Sequence, residues 1–244
     1  IQKVKGEELT RMKEVNMITA LAGKAAGVQI NKNSSGIGGS AKVSLRGIRS
    51  ASGDNQPLYV IDGVPMLNIG TEQAYSAIGG TANAGNRDGG DGISNLNPED
   101  VESISILKGA PAAALYGSQA ANGVILITTK KGNTAGQRNI YFSTGLTFDK
   151  AFSLPKMQNC YGVSDVVDSW GEKAYLPTSN ELNDFFRTGL TSITSVSVNY
   201  GNEKIQTYFS YANTTGRGIV DKNQLTKHNI NLRETAVMFN QRLK

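Results

Sequence analysis

The second half of the chain alternates apolar and polar side chains with a period of two, and this pattern limits the possible folds more than any other feature. Between residues 139 and 148, one set of alternate positions holds Ile140, Phe142, Leu146 and Phe148, and the other holds Asn139, Tyr141, Ser143, Gly145 and Thr147. The same alternation returns at 195–200, 205–212 and 229–232. Successive side chains of a β-strand point to opposite faces, so these segments predict strands with one apolar and one polar face.

Two kinds of sheet fit such strands. A soluble antiparallel sheet packs its apolar face on a core and exposes its polar face to water. A transmembrane β-barrel turns its apolar face to lipid and its polar face to a watery lumen. Soluble sheets are the commoner of the two, so the pattern alone favours a soluble sheet.

Residues 1–133 carry a different pattern, in which short helices and strands alternate. Apolar residues at helical spacing predict a helix over residues 7–24, and Asn97-Pro98 predicts a second helix start. Strands are predicted at 28–30, 42–47, 58–62, 104–107 and 124–129, and a short helix at 110–115. We therefore predict an α+β domain over residues 1–133 and a β domain over residues 134–244.

Glycines mark the turns of the first domain. In the stretch LYGSQAANGVILITTKKG, residues 115–132, Gly117 and Gly123 precede a strand rich in β-branched residues. Glycine takes backbone angles that other residues avoid, and it lets two chain segments approach closely. We therefore predict a tight corner at Gly123, with close backbone approach or positive φ, and a turn at Asp62-Gly63.

The composition argues against several classes of function. The net charge of +5 is spread along the chain without a basic stripe, which argues against nucleic-acid binding. Cys160 is the only cysteine and His228 the only histidine, so neither an intrachain disulfide nor a cysteine-histidine metal cluster can form. The segment 87–92 lacks the ligand spacing of an EF-hand. We find no catalytic constellation and expect no enzyme activity, cofactor or metal.

Several long sequence segments, taken together and in order, carry a family resemblance. They are LAGKAAGVQI, VSLRGIRS, PLYVIDGVP, NPEDVESISILKGAPAAALYGSQAANGVILITTKKG, DFFRTG and VSVNYGNEKIQTYFSYANTTGRGI. The chain resembles the SusC-like TonB-dependent outer-membrane transporters of Bacteroidetes from about residue 5 to Arg233. The resemblance favours the transmembrane setting over the soluble sheet.

This resemblance implies that residues 1–133 form a plug domain and that residues 134–244 form the first strands of an antiparallel transmembrane β-barrel. Plugged transporter barrels have about 22 strands, so the barrel in this chain is expected to be incomplete. It also implies an importer of oligosaccharide or peptide in the outer membrane. A SusD-like surface lipoprotein would cover the substrate, and TonB would engage an N-terminal box that precedes Ile1.

The resemblance and the polar residues of one long loop supply candidate site residues. Arg46, beside Gly47, matches the first of two arginines that hold the plug of siderophore transporters, and Leu115 stands at the second position. Structural roles are expected at Asp62, Gly63, Gly117 and Gly123. Plug loops can reach the substrate, so we expect the loop 67–94 to bind it through Tyr75, Asn83, Asn86, Arg87, Asp88 and Asp91, although a simple connector is the alternative.

A second function from another class fits the same strands. A soluble secreted β-rich adhesin or carbohydrate-binding module would also contain alternating strands and abundant glycine. Such a module would fold alone in water, whereas barrel strands would need detergent.

Overall fold

The structure is a computed structural model, and it describes residues 2–32, 36–48, 55–66, 68, 90–156, 158, 160–163, 169–173 and 184–236. Two units follow each other along the chain. The first, through residue 133, is called the plug, and the second is called the wall. The predicted boundary at residue 133 lies in the connection between the last strand of the plug and the first strand of the wall.

The plug contains seven short strands and two short helices in its described residues. The strands are β1 (Gln2–Lys5), β2 (Val28–Lys32), β3 (Ala41–Leu45), β4 (Leu58–Ile61), β5 (Val64–Met66), β6 (Val101–Leu107) and β7 (Val124–Thr129). The helices are α1 (Gly6–Thr10) and α2 (Ala110–Tyr116), with 3-10 turns at Thr19–Leu21, Gly92–Asn95, Pro98–Asp100 and Gly117–Ala120. Five strands form one sheet in the order β1-β6-β7-β4-β5, and β2 pairs with β3 in a separate hairpin.

Strand β7 is the centre of the plug sheet and is buried on both faces. Ile125 and Ile127 pack into a cluster with Leu9, Ile18 and residues of β6. On the opposite face, Val124 joins a smaller cluster that includes Val60 and Ala112. Burial on both faces explains why the sequence of β7 is a continuous apolar run and not an alternating one. The sequence prediction of a buried strand at 124–129 is confirmed.

The predicted helix over residues 7–24 is wrong. Helix α1 ends at Thr10, and only a 3-10 turn follows, at Thr19–Leu21. Between them, the side chain of Asn16 accepts a hydrogen bond from the Ile18 amide at 2.9 Å, and the Asn16 carbonyl accepts one from Thr19. Asparagine side chains compete with helical backbone bonds in this way, so the segment turns instead of continuing as a helix.

The helix start predicted at Asn97-Pro98 is present only as a short 3-10 turn. The Asn97 side chain accepts a hydrogen bond from the Glu99 amide at 3.2 Å, as a capping residue does. The chain then enters β6 at Val101, so no longer helix forms. Within the described residues, no helix has the length and apolar character needed to cross a membrane.

The wall is a four-stranded antiparallel sheet in the order β13-β12-β11-β8. Its strands are β8 (Asn139–Asp149), β11 (Gly189–Gly201), β12 (Ile205–Arg217) and β13 (Gln224–Ala236). A separate hairpin of β9 (Tyr161–Val163) and β10 (Ser169–Lys173) lies in the connection between β8 and β11. The four strands are long and pair without a break in register.

The wall exposes its apolar face and turns its polar face to the plug. The pairing places Ile140, Val198, Phe209 and Leu232 in one row across the sheet. This row is on the outer face, where Ile140 is 72% exposed and Leu232 66% exposed. On the inner face, Ser195, Ser210 and Thr214 are buried. The alternation predicted from the sequence is therefore confirmed, and its direction is the reverse of that in a soluble sheet.

The corner before β7 has both features that the sequence predicts. Gly123 has a φ of +97°, and a Cβ atom placed there would lie 2.6 Å from Leu45 Cδ1 and 2.9 Å from the Leu107 carbonyl oxygen. Gly117 also has positive φ, at +67°, but a Cβ atom there would meet no atom within 4 Å. A side chain at Gly117 would therefore meet backbone strain alone, whereas a side chain at Gly123 would meet both backbone strain and steric overlap.

We predict that Gly123→Ala destabilises the plug more than Gly117→Ala does. Positive φ alone costs an alanine on the order of 1–2 kcal/mol, and only Gly123→Ala adds a collision with Leu45 and the backbone. The measurement is the amount of assembled full-length protein in the membrane, together with its thermal unfolding. Equal losses for the two variants would mean that Leu45 moves aside without cost.

Candidate functional site: the contact between plug and wall

The candidate site is the polar contact between the plug and the inner face of the wall. One part of it forms at the Asp62-Gly63 turn between β4 and β5. Both residues have positive φ, at +48° and +89°, as a two-residue hairpin turn of type I′ requires. This turn holds the Asp62 carboxylate at the end of β7, beside strand β13 of the wall.

Asp62 links the plug sheet to the wall. Its carboxylate accepts hydrogen bonds from the Thr129 amide at 3.0 Å and from the Thr129 hydroxyl at 2.6 Å. The guanidinium of Arg233, on β13, lies 2.7 Å from the same carboxylate and also donates to the Thr129 hydroxyl. Burial by itself raises the pKa of Asp62, but the hydrogen bonds from Thr129 and the Arg233 charge outweigh it and lower the pKa below its ordinary value.

A second group of contacts joins residues 94–100 of the plug to the wall. The Tyr208 hydroxyl of β12 donates to the Asp100 carboxylate at 3.0 Å, and both residues are buried. On β13, Asn229 donates to the Asn95 carbonyl at 2.6 Å. Lys227 donates to the Ser94 carbonyl at 3.0 Å and to the Val15 carbonyl at 3.3 Å. Each of these wall side chains thus bonds a plug oxygen, and the Asp100 carboxylate is buried while Asn95 is exposed.

A third group centres on Lys13 of the plug. The Lys13 ammonium forms an ion pair with Glu99 and donates to the Ser143 hydroxyl of β8. The Lys13 stem passes over Gly145, where a Cβ atom would lie 2.5 Å from Lys13 Cγ. Both charged side chains are only 17% exposed. The ion pair therefore lies within the plug and is largely buried, and its ammonium reaches the wall through the hydrogen bond to Ser143.

A cleft of about 470 Å³ lies between the plug and one end of the wall. The plug contributes residues 13–16 and the glycine loop 36–39, and the wall contributes Asp149, Lys150 and the β12-β13 loop. The tight turn at 202–204, between β11 and β12, lies at the opposite end of the strands. Transmembrane barrels have short turns on the periplasmic side and long loops outside, so in a barrel the cleft would face outward.

Of the six residues predicted from the sequence to bind substrate, the structure describes only Asp91. Tyr75, Asn83, Asn86, Arg87 and Asp88 lie outside the described residues, so their contact with substrate stays a prediction. Asp91 is buried at 4% exposure, and its carboxylate accepts hydrogen bonds from the Ser94 amide at 2.8 Å and the Ala41 amide at 3.1 Å. These bonds fit a structural role at the end of the loop.

Arg46 is exposed and has a φ of +65°, beside Gly47 at +86°. Its guanidinium lies next to Gly109 and lines a small pocket with Lys108. Among the described residues, Arg46 takes part in none of the salt bridges. Its role in holding the plug therefore stays a prediction. The charged side chains that make the described contacts between plug and wall are instead Arg233, Lys227 and Lys13.

Sequence reasoning missed these three residues, although a signal for two of them was present. Lys227 and Arg233 occupy the same set of alternate positions on β13 as Asn229, opposite Ile230 and Leu232. A charged residue on the polar face of a barrel strand points to the lumen, and the plug fills the lumen. Lys13 gave no such signal, because the segment was predicted as helix.

The described part of the site contains polar contacts and no recognisable catalytic group. Within the described ranges, no group of three or more His, Cys, Asp and Glu residues could hold a metal ion. The contacts are hydrogen bonds and ion pairs that water can replace when the two surfaces separate. The arrangement is suited to holding and releasing the plug.

We predict that Asp62→Asn loosens the plug and removes one acid-sensitive contribution to stability. Because the pKa of Asp62 is lowered in the folded protein, its stabilisation is present above its ordinary value and is lost as the pH falls through the folded-state pKa. The pair is about a quarter exposed, so the loss at neutral pH should be on the order of 1 kcal/mol or less. Thermal unfolding of the full-length protein at neutral pH and at about pH 3 measures both effects.

A matched control is Asp221→Asn, which breaks the pair between Arg187, before β11, and Asp221, on the loop between β12 and β13. Asp221 is 71% exposed, and its loss should leave plug seating unchanged. Entry of large antibiotics into cells reports plug seating. An identical antibiotic response in Asp62→Asn, Asp221→Asn and the parent protein would exclude Asp62 as a holding point.

Comparisons with known proteins agree with this arrangement. Residues 1–124 match the TonB-dependent Receptor Plug Domain family. The whole chain is 32% identical to the TonB-dependent receptor SusC of Bacteroides thetaiotaomicron, and 86% of it is 29% identical to the TonB-dependent receptor P26 of Formosa agariphila. The chain spans 23% and 20% of the lengths of these two relatives.

A solved structure, the RagAB peptide importer in a state described as closed-closed, has a similar fold. It superimposes on 96% of this chain with a TM-score of 0.74 at 22% identity, and the match covers 28% of that protein's chain. The family match extends over more than half of the chain, and the plug sheet and the inward polar face of the wall agree with it. The chain belongs to the TonB-dependent receptor plug-domain family.

Proposed function

We propose that the whole protein is a TonB-dependent outer-membrane importer and that this chain supplies its plug and its first four long wall strands. The observation that supports the proposal is the orientation of the two faces of the wall. Its apolar rows are exposed, and its polar rows contact the plug. A sheet of this kind is stable when lipid covers the outer face and a plug fills the inner one.

In this function the plug closes the lumen until it is displaced. Its contacts with the wall are mostly hydrogen bonds and ion pairs, as at Asp62, Asp100 and Lys13. Breaking such contacts exposes polar groups that water can solvate, so the plug can move without exposing a large apolar area. The apolar core around β7 consists of plug residues alone and can stay intact.

The partners follow from the relatives. The RagAB peptide importer supports a peptide as the imported nutrient, and the resemblance to SusC-like transporters makes an oligosaccharide the second candidate. A SusD-like surface lipoprotein would cover the substrate, and TonB would pull on a box that precedes this chain. The protein would bind no nucleic acid, need no cofactor and catalyse no reaction. The cleft at the outer end of the wall is a place where plug and wall can both touch the substrate.

The alternative, a soluble adhesin or carbohydrate-binding module, conflicts with the exposed apolar face. We predict that residues 134–244, produced alone, aggregate in water and require detergent. Four strands leave two open edges, and the outer face exposes Phe142, Phe148 and Ile230 to solvent. Size-exclusion chromatography with and without detergent provides the measurement. A monomer that unfolds cooperatively in water would favour the soluble module.

The import function is tested by growth and uptake. We predict that deletion of the gene abolishes growth on its nutrient and that deletion of TonB has the same effect. In the same assay, the loop 67–94 should be shortened by replacing residues 70–89 with a brief Gly-Ser linker. Gly90 and Asp91 should be kept, because the Asp91 carboxylate holds Ala41 and Ser94 in place.

The shortened protein should reach the outer membrane at the normal level and associate with its lipoprotein, while substrate binding and growth fall at least several-fold. Normal growth would leave the loop as a connector, and Tyr75, Asn83, Asn86, Arg87 and Asp88 would lose their proposed contact with substrate. Growth that does not depend on TonB would contradict the import function itself.

A further inference from the structure

The outer face of the hairpin β12-β13 changes from apolar to polar along its length. Toward the tight turn at 202–204, the cross-strand pairs on this face are Phe209–Leu232 and Tyr211–Ile230. The next three pairs on the same face are wholly polar, and we call these six residues the outer ladder: Asn213–His228, Thr215–Thr226 and Arg217–Gln224. Five of the six residues are exposed and Asn213 is half-buried, so the ladder faces the surroundings of the wall and not the plug.

The height of a lipid layer explains where the apolar pairs stop. Strands β12 and β13 have 13 residues each. A strand of this length, tilted as barrel strands are, rises about 34 Å, whereas the apolar band of a barrel is about 25 Å tall. Exposed apolar side chains begin beside the tight turn, at Ile205, so the excess length falls at the other end of the strands. The outer ladder then lies at the level of the lipid headgroups of the outer leaflet.

Strand β8 agrees with this position of the lipid layer. In the rows of the three ladder pairs, β8 carries Thr144, Leu146 and Phe148, so its apolar side chains continue farther than those of β13. Rows at right angles to tilted strands slope relative to the membrane. A level lipid surface therefore crosses successive strands at different rows, and the oblique boundary between apolar and polar side chains fits such a surface.

Contacts within the ladder order its lower part. The Tyr211 hydroxyl lies 3.0 Å from His228 Nδ1, and the two rings are stacked with centroids 6.2 Å apart. The Asn213 amide nitrogen lies 3.2 Å from the same His228 nitrogen, and the Thr215 hydroxyl donates to the Asn213 side-chain oxygen at 3.2 Å. Tyrosine is typical of the level where the apolar band meets the headgroups.

The upper part of the ladder offers groups to a ligand. Within the described residues, no side-chain hydrogen bond or ion pair engages Arg217, Gln224 or Thr226. The ladder contains no carboxylate, and the nearby Asp221 is already paired with Arg187. A guanidinium binds phosphate through two parallel hydrogen bonds, and amide and hydroxyl side chains can bond the hydroxyls of a sugar.

We propose that the outer ladder binds the headgroup of a lipid that carries both sugar and phosphate. This inference rests on the proposed function only in requiring that the wall lies in a membrane. Arg217 pairs with the phosphate, while Gln224 and Thr226 bond the sugar. The acyl chains of the same lipid cover the apolar side chains below, at Ile230 and Leu232. A lipid fits this surface better than a water-soluble ligand does, because its chains and its head match the apolar rows and the ladder in turn.

The test measures lipid binding to the purified full-length protein by native mass spectrometry from detergent. Four probes are added separately: monophosphoryl lipid A, phosphatidylglycerol, digalactosyldiacylglycerol and inorganic phosphate. The first carries sugar and phosphate on acyl chains. The second lacks the sugar, the third lacks the phosphate and the fourth lacks the lipid. We expect the protein to bind monophosphoryl lipid A at least several-fold more tightly than it binds the other three.

Variants assign the binding to the ladder. Arg217→Gln should lower the bound fraction of monophosphoryl lipid A several-fold, because the phosphate loses its charged partner. Arg217→Lys should retain part of the binding, since it keeps the charge and loses the planar fork. Gln224→Ala combined with Thr226→Ala removes the sugar contacts and should reduce the preference over phosphatidylglycerol. These positions are exposed, so normal membrane levels are expected for all of the variants.

The matched control is Arg138→Gln. Arg138 is also exposed, but it lies beside β8 at the tight-turn end of the wall, with its guanidinium 5.0 Å from the ring centroid of Tyr200. This variant should bind monophosphoryl lipid A as the parent protein does. Equal binding by Arg138→Gln and Arg217→Gln would overturn the proposal, as would equal affinity of the parent for phosphatidylglycerol and monophosphoryl lipid A. A dimer that Arg217→Gln dissociates would mean that a second copy covers the ladder, and this result would also overturn it.

These outcomes are separate from those of the import function. Lipid binding is measured on purified protein without TonB or transport. If binding depends on Arg217 but growth proves independent of TonB, the import function fails while the lipid site stands. If growth depends on TonB but Arg217→Gln binds the lipid normally, the lipid site fails alone.

Discussion

The polar face of the wall needs hydrogen-bonding partners, and the plug supplies them. Side chains alternate between the two faces of each long strand, so every second side chain points to the plug. The side chains on that face carry hydroxyl, amide and charged groups. Buried polar groups are costly without partners. Lys227 and Asn229 find them on backbone carbonyls of the plug, and Tyr208 finds one on Asp100. Hydrogen bonds therefore help to set the position of the plug.

The wall contacts are distributed unevenly over the plug. Residues 94–100 meet three wall strands, through Glu99 with β8, Asp100 with β12, and the carbonyls at 94 and 95 with β13. The N-terminal segment has fewer contacts, and β1 pairs with β6 over four residues at the edge of the sheet. In the proposed function, a pull from the N-terminus acts first on the part with the fewest contacts, because local opening starts where stability is lowest.

Much of the fold follows from sequence patterns, because those patterns are set by burial. The alternation of the wall strands, the buried run at β7 and the Asp62-Gly63 turn all correspond to observed elements. The sequence pattern did not show which face of the wall meets the plug. A sheet with its apolar face inward has the same alternation as a sheet with its apolar face outward. The family resemblance was needed to choose between them. The predicted helix over residues 7–24 failed because the local hydrogen bonds of Asn16 compete with helical bonding, and the apolar spacing used for the prediction does not detect this competition.

The contact residues were harder to predict, for a related reason. Arg233 meets Asp62 across 171 positions of sequence, and Lys13 meets Ser143 across 130. Local patterns contain no information on such pairs. Asp91 illustrates the same limit, since an aspartate among glycines suggested an exposed binding residue, yet its carboxylate is buried and holds the amides of Ser94 and Ala41.

Two ion pairs lie at the contact between plug and wall, and they differ in exposure. The Asp62–Arg233 pair joins the plug to the wall, whereas the Lys13–Glu99 pair lies within the plug and reaches the wall through the bond from Lys13 to Ser143. The Asp62–Arg233 pair is about a quarter exposed, so water and salt weaken it, whereas the Lys13–Glu99 pair is 17% exposed and is weakened less. The more exposed pair lies toward the end of the wall that carries the tight turn, and the more buried one borders the cleft. Salt should therefore weaken the pair that joins plug and wall more than it weakens the pair within the plug.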